Sequence, residues 1–522
     1  MPIKTKWSIL IVIGLVLGLV GSCAHQYPDD VRTALDAAGP NRAALQAVLE
    51  HYAAQGDTLK LQAAQFLIVN MPEHCYVTYR LVDTTGAEHD FDITVFDNYD
   101  QLVSSFDSLQ AARGELNFER NDKILDVETM TSELLIENID YAFRAWTERP
   151  WARFLSFDQF CQYILPYRGS NEPLESWRPY YWERYQSTAD SLDDQADPVV
   201  AAQAVNADVQ TWFGFDPRYY YHPTDQGQAE MLASGLGRCE DMTNVTIYAM
   251  RANGLAVTSD YTPAWANSGN NHAWNSILLP GGKVVPFMGA ETNPGDYTLH
   301  NRAAKVYRKT FAQQKSNLAF QPHLQEEVPR WLAGKNYADV TADYMPTRDV
   351  TVHFDAPPPD SVDIAYLCVF NSGEWRAIQW GRIAGDSALF GAMGTGIVYL
   401  PALYLNEEIT PLGQPFLLSD SGPLEYLVPD STAMQKLELS ATTERALAGS
   451  TDGVELQALE KDADYELFCF DHDWVSLGVR TCDGHPLVYD NVPTGALYWL
   501  VKVGGHQEER VFQIVDGAVR WW

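Results

Sequence analysis

The chain is short of positive charge. Lysine and arginine together number 36 against 69 aspartates and glutamates, for a formal net charge of −33. Such a surface repels a phosphate backbone, so no nucleic-acid partner is expected. Cysteine is scarce as well. The 7 cysteines are widely spaced, with no CxxC pair and no Cys/His cluster at zinc spacing, which argues against a disulfide framework and a structural metal site. A nucleotide-binding glycine loop is missing too, and no cofactor is expected. The one strongly apolar run at the N-terminus, Ile9 to Val20, is too short and too early for a membrane span.

That run instead has the layout of a targeting segment over residues 1–22. Lys4 and Lys6 form a basic region before it, and it ends Leu-Val-Gly-Ser-Cys at Cys23. Small residues before a cysteine resemble a bacterial lipobox, in which the leader is cut before Cys23 and that thiol takes the lipid. Loss of Lys4 and Lys6 would move the net charge from −33 to −35. Acyl chains insert into one leaflet, so the expectation is a protein anchored to the membrane without spanning it. Ala24 after Cys23 is compatible with outer-membrane sorting.

What the chain does have is core-forming material. It is 46% hydrophobic and 12% aromatic over 522 residues, enough for about three or four globular domains. Residues 23–125 read as a mainly helical region, with Ala44, Leu45, Val48, Leu49 and Tyr52 at helical spacing. Residues 126–345 read as a mixed core. Within it the basic stretch 301–315 is expected to be a solvated strand or helix edge, and Arg168, Glu172, Glu175 and Arg178 to pair with each other structurally, with lining a substrate cleft as the alternative. Beyond Pro346 the chain repeats itself at an offset of 99 residues, which aligns Tyr366 with Tyr465, Trp375 with Trp474 and Tyr399 with Tyr498. Short runs rich in β-branched and aromatic residues in both copies predict two tandem antiparallel β-sandwich modules, 346–445 and 446–522. The fold class expected is α+β.

The chemistry concentrates between Gly235 and Glu291. Gly235, Gly237 and Arg238 lead into Cys239, and a helical pattern follows (Met242, Val245, Tyr248, Ala249) up to Gly254. A thiol at a helix start sits where the backbone dipole favours negative sulfur. His272 opens a strand-like run, and Pro280-Gly281-Gly282-Lys283 signals a hairpin back along Val284 to Phe287. A two-residue turn at Gly281-Gly282 makes partner numbers sum to 563, so His272 faces Glu291. A carboxylate there can fix the imidazole tautomer. Cys239 is the candidate nucleophile, His272 its base and Glu291 the third member. The Cys239 backbone N–H and a side chain from Trp212 or Tyr219 to Tyr221 are the candidate oxyanion donors.

Gly-Arg-Cys-Glu-Asp at 237–241 and Asn-His-Ala-Trp-Asn at 271–275 resemble the transglutaminase-like superfamily. The resemblance implies a papain-like thiol fold with a Cys-His-Asp triad, Cys239 as nucleophile and His272 as base. That family's acid falls on Met288 when Val285-Pro286 is aligned, and Glu291 is the nearest carboxylate. The whole layout is similar to lipid-anchored transglutaminase-like proteins of Bacteroidetes-type bacteria. It implies acyl transfer or hydrolysis on peptide or glutamine-type amides at the cell envelope, with a peptide or protein amide as substrate. The alternative is an inactive binding or scaffold protein on the same fold.

Overall fold

The computed structural model describes residues 27–192, 194–323, 327–446, 454–505 and 508–522. The leader and Cys23 lie outside the described residues. Among the described residues no helix is long and apolar enough to cross a membrane.

Three helices begin the fold: α1 (Asp29–Ala37), α2 (Arg42–Gln55) and α3 (Thr58–Asn70). The helical periodicity holds in α2, where Leu45, Val48, Leu49 and Tyr52 are buried. Gly56 ends α2 in the left-handed region (φ 70°) that an L-side chain adopts only with strain. These faces share one apolar core with Leu135, Ile139 and Ala142, and with Met242 and Val245 farther along the chain. Between them a ribbon, β1 (Cys75–Asp83) and β2 (Leu116–Leu125), is joined through helix α4 (Tyr99–Arg113). Helix α5 (Ser132–Glu148) carries Leu135, Ile139 and Ala142. The N-terminal helices therefore do not form a core of their own, and the expected boundary at 125/126 does not divide the packing.

Helix α6 (Cys239–Arg251) lies at the centre, with every residue from Asp241 to Arg251 buried. It packs on a five-stranded antiparallel sheet of order β7-β6-β3-β4-β5, made of β3 (Val257–Thr262), β4 (His272–Leu278), β5 (Val284–Phe287), β6 (Tyr307–Lys309) and β7 (Tyr337–Asp339). Met242 and Val245 share their core with Trp274, Ile277 and Phe287 of the sheet.

The β4–β5 hairpin has a different register from the one expected. Asn275 pairs with Phe287 and Leu278 with Val284, so partner numbers sum to 562. The loop has three residues, Pro280 to Gly282, closed by Leu279 N–H donating to the Lys283 carbonyl at 2.8 Å. A slip of one residue turns each side chain to the other face. The ladder also stops at Phe287, and the chain turns back on itself with Met288 bridged to Thr292 and Ala290 at φ 59°. Glu291 therefore sits exposed in a tight turn and does not face His272 across the hairpin.

The repeat is visible as topology. The first module contains β8 (Thr347–His353), β9 (Ile364–Asn371), β10 (Glu374–Ala384), β11 (Ser387–Gly394), β12 (Ile397–Leu405), β13 (Phe416–Leu418) and β14 (Glu425–Tyr426), in the order β8-β11-β10-β9-β12-β13-β14. The second contains β15 (Asp430–Leu439), β16 (Asp464–Phe470), β17 (Trp474–Thr481), β18 (Leu487–Thr494), β19 (Tyr498–Lys502), β20 (Val511–Val515) and β21 (Ala518–Trp521), with the sheet order β17-β16-β19-β20-β21. The run β10-β9-β12-β13-β14 thus recurs as β17-β16-β19-β20-β21. Strand β15 pairs with β18 as β8 pairs with β11. Residues 430–439 consequently belong with the second module, and the change of module falls ahead of β15, not at 445/446.

Candidate active site

Local chemistry places Cys239. Arg238 is extended, and its N–H donates to Asp241 Oδ2 at 3.0 Å, so the Asp241 carboxylate caps the helix that Cys239 opens. The other Asp241 oxygen accepts from Gln226 N–H at 2.9 Å. Burial and the nearby Asp225 push the Asp241 carboxyl up to about 6. The two charges flanking the thiol are each turned to a partner. Arg238 pairs with Asp225 at 2.5 Å, and Glu240 pairs with Lys309.

The thiol is controlled by burial. Desolvation, then Glu240, pushes Cys239 up to about 11, against the pull of an Ala273 N–H that donates to the sulfur. That contact brings Cys239 beside the first residues of β4, where His272 stands. Burial takes the His272 imidazole down to about 4, with Glu240 opposing. At neutral pH the pair rests as thiol and neutral imidazole. The helix-start argument alone points to a lowered thiol pKa, and here the loss of water outweighs the dipole.

His272 Nε2 lies 3.2 Å from the Tyr297 hydroxyl. Burial first, then Glu291 and Cys239, raise the Tyr297 hydroxyl well above its ordinary value, so it stays protonated. Glu291 thus reaches the site electrostatically through Tyr297, not by facing the ring. Met288, where the family's acid aligns, is buried in the core. Tyr297 escaped sequence reasoning because the turn after β5 returns a residue that no strand pairing predicts.

Among the oxyanion candidates, Trp212 Nε1 donates to Asp208 at 3.2 Å and is engaged elsewhere. Tyr219 and Tyr221 pack with Phe91, Phe96 and Leu102 of the β1–α4 segment. Tyr220 remains. Its ring is half exposed, and its hydroxyl is pushed up to about 12 by burial and then by Cys239, so it stays protonated.

Cys239 and His272 both line a cleft of about 410 Å³, walled also by Ser170, Lys309, Trp331 and Tyr337. The expected solvated edge at 301–315 is instead buried over residues 303–308, and Lys309, Thr310 and Phe311 line the cleft. Lys305 is fully buried, bonding the Ala392 carbonyl at 2.9 Å, and Arg308 pairs with buried Asp260 through two bonds of 2.8 and 2.7 Å. Lys309 donates to Ser170 Oγ at 2.6 Å and to Glu240. Burial works against its charge, yet Glu240 and Asp225 outweigh it and hold the ammonium above its ordinary value. Each of these cations points inward because a carboxylate waits there.

The charged cluster at 168–178 is structural and shapes the opposite wall. Arg168 grips Asp126 at 2.6 and 2.5 Å, while Glu172 accepts the Gly169 and Ser170 N–H groups, both at 2.7 Å. Arg178 is spent on the Ile164 carbonyl and Asn138, and Glu175 accepts from Ala229 N–H. Among the described residues no group of three or more His, Cys, Asp or Glu is placed to hold a metal ion.

A comparison with curated proteins returns no match. Residues 186–288 match the family model described as Transglutaminase-like superfamily; the stretch contains Cys239 and His272 and ends before Glu291 and Tyr297, and it gives this chain a transglutaminase-like domain with the cysteine-protease type of fold.

Proposed function

We propose that the domain is a cysteine-nucleophile enzyme that transfers or hydrolyses acyl groups of peptide or glutamine-type amides. The observation that carries this reading is the sulfur of Cys239 on the Ala273 N–H, beside His272, in a cleft open to both. With Nε2 engaged by Tyr297, Nδ1 is the nitrogen left to take the thiol proton as sulfur attacks the amide carbonyl. The Cys239 N–H and the Tyr220 hydroxyl serve the oxyanion. The C–N bond breaks, His272 returns the proton to the departing amine or ammonia, and a thioester remains. Water or a second amine then adds, with His272 again the base, and Cys239 leaves as the thiol. Tyr297, not a carboxylate, is the partner of the His272 ring nitrogen. A neutral hydroxyl orients the ring but stabilises the imidazolium less than a negative charge does.

Hydroxylamine tests the reaction for either acceptor, because it converts a thioester to a hydroxamate. The expected result is hydroxamate formation from glutamine-containing peptides that disappears in Cys239→Ala and His272→Ala. Equal rates in wild type and Cys239→Ala would remove the enzyme reading and leave a binding or scaffold protein. Tethering to the bacterial envelope, with the outer membrane as the favoured site, is proposed on the lipobox at Cys23. Labelled fatty acid should enter the wild type and not Cys23→Ala; label in both would reject the anchor.

A further inference from the structure

The loop between β3 and β4 delivers His272, and it is held from outside its own domain. Trp265 N–H donates to the Asn270 carbonyl at 3.1 Å, which closes the loop on itself, and Asn270 adopts φ 66°. Three of its carbonyls then converge on one side-chain amide. The two N–H groups of Asn371 Nδ2 are shared among the carbonyls of Trp265, Ser268 and Asn270, at 2.9, 2.8 and 2.9 Å. Asn371 is the last residue of β9 in the first module, and Ser372 beside it accepts from Asn270 N–H at 3.2 Å.

The second module supplies the other grip. Arg510, just ahead of β20, donates to the Ala266 carbonyl at 2.6 Å and the Ser268 carbonyl at 3.3 Å. Its Nε is held by the Trp522 carbonyl at 2.9 Å, and its backbone N–H by Thr443 Oγ1 at 3.1 Å. Asn371 is 3% exposed and Arg510 is 2% exposed, so both donors are buried although the loop they hold is partly open to solvent. A buried guanidinium is costly unless its nitrogens are hydrogen-bonded, as all three are here. Burial takes its pKa down to about 9.

Two routes lead from this grip to the imidazole. One is the chain, since Asn270 is two residues from His272. The other is packing. The Trp265 ring lies 5.9 Å from the His272 ring and stacks on Trp274 at 6.3 Å and 10°. Trp274 is fixed in turn by Nε1 donating to Tyr344 Oη at 3.0 Å, and Tyr344 donates to Asp260 at 2.6 Å.

We propose that the two β modules act together as a clamp on the 265–270 loop, with Asn371 and Arg510 as positioning residues that set the orientation of His272. The proposal rests on reading Cys239 and His272 as the reacting pair. It makes the modules part of the site's architecture, where a spacer role would leave the site indifferent to them.

The test uses the full chain with Asn371→Ala, Arg510→Ala and Arg510→Lys. Lys436→Ala, an exposed residue paired with Glu438 of its own strand, is the control. Hydroxamate kcat and KM are measured together with hydrogen exchange over residues 262–272. The clamp predicts faster exchange in both alanine variants and a kcat lowered by about ten- to a hundredfold at unchanged KM. Arg510→Lys should recover part of the loss, and Lys436→Ala should change nothing. If an alanine variant does not fold, Ser372→Ala, which removes a single 3.2 Å bond, is read in the same way for a smaller shift. Folded variants with wild-type exchange and kcat overturn the clamp. If the wild type forms no hydroxamate, the proposed reaction fails separately, and exchange alone decides the clamp: faster exchange in both alanine variants supports it, and unchanged exchange rejects it.

Discussion

The two sides of the cleft are built in opposite ways. On the Cys239 side nearly every supporting group comes from a short stretch of chain. Gln226, Asp225, Arg238 and Asp241 cap the helix and neutralise Arg238 within residues 225–241, and Glu240 alone of the flanking charges takes a distant partner, Lys309. On the His272 side support arrives from far along the chain: Tyr297 at the ring, Trp265 against it, Tyr344 beneath Trp274, and Asn371 and Arg510 on the loop. On the proposed roles, a nucleophile assembled locally tolerates change elsewhere in the protein, whereas a base assembled from remote pieces is exposed to change in every one of them.

The largest effects test whether both sides belong to one reaction. Cys239→Ala should remove hydroxamate formation entirely, and His272→Ala should lower it by about 10²–10⁴-fold, the usual worth of a general base. A pH profile sharpens this. Because burial lowers His272 to about 4, the imidazole is neutral and able to accept a proton above that value. Turnover should therefore persist through pH 5 and fall as pH drops through about 4, provided the fold survives. On the other side, the thiol pushed up to about 11 predicts that iodoacetamide labelling of Cys239 keeps rising with pH beyond the midpoint of an ordinary cysteine, about 8.5. A labelling midpoint below 7 would mean a resting thiolate–imidazolium pair and would erase the stated contrast between dipole and burial.

A stability measurement separates architecture from chemistry. Arg168 and Asp126 form a buried pair under the cleft wall, with side chains 2% and 0% exposed. Arg168→Ala leaves a buried carboxylate without its partner and should cost about 3–5 kcal/mol in denaturant unfolding. A loss under 1 kcal/mol would show that the wall does not depend on this pair.

The same contrast explains what the chain discloses before folding. The helix at Cys239 is legible because its signals, glycines, cap and apolar period, lie within one window. The repeat is legible because matching aromatics at a fixed offset mark matching strands. The hairpin register was not, because Pro280 adds a third residue to a turn that Gly281-Gly282 alone would close in two. The inward course of Lys305, Arg308 and Lys309 was hidden for a related reason. A cation's burial is decided by carboxylates such as Asp260 and Glu240, which folding brings from elsewhere. Strand β15 reads as part of the first module until its pairing with β18 is known.

The smallest expected effects bear on the third position. Tyr297→Phe removes one hydrogen bond to the imidazole while keeping the ring's bulk, and should lower kcat by about tenfold, the equivalent of roughly 1.4 kcal/mol. Glu291 acts only at a distance, on an exposed turn, where its charge is screened by water. Glu291→Gln should therefore change kcat by less than about threefold, and less still at high salt. If instead Glu291→Gln matched or exceeded Tyr297→Phe, the carboxylate would be the true orienter of His272. The turn at Met288–Thr292 would then have to rearrange when substrate enters, since in the present geometry the hydroxyl of Tyr297 holds the ring nitrogen.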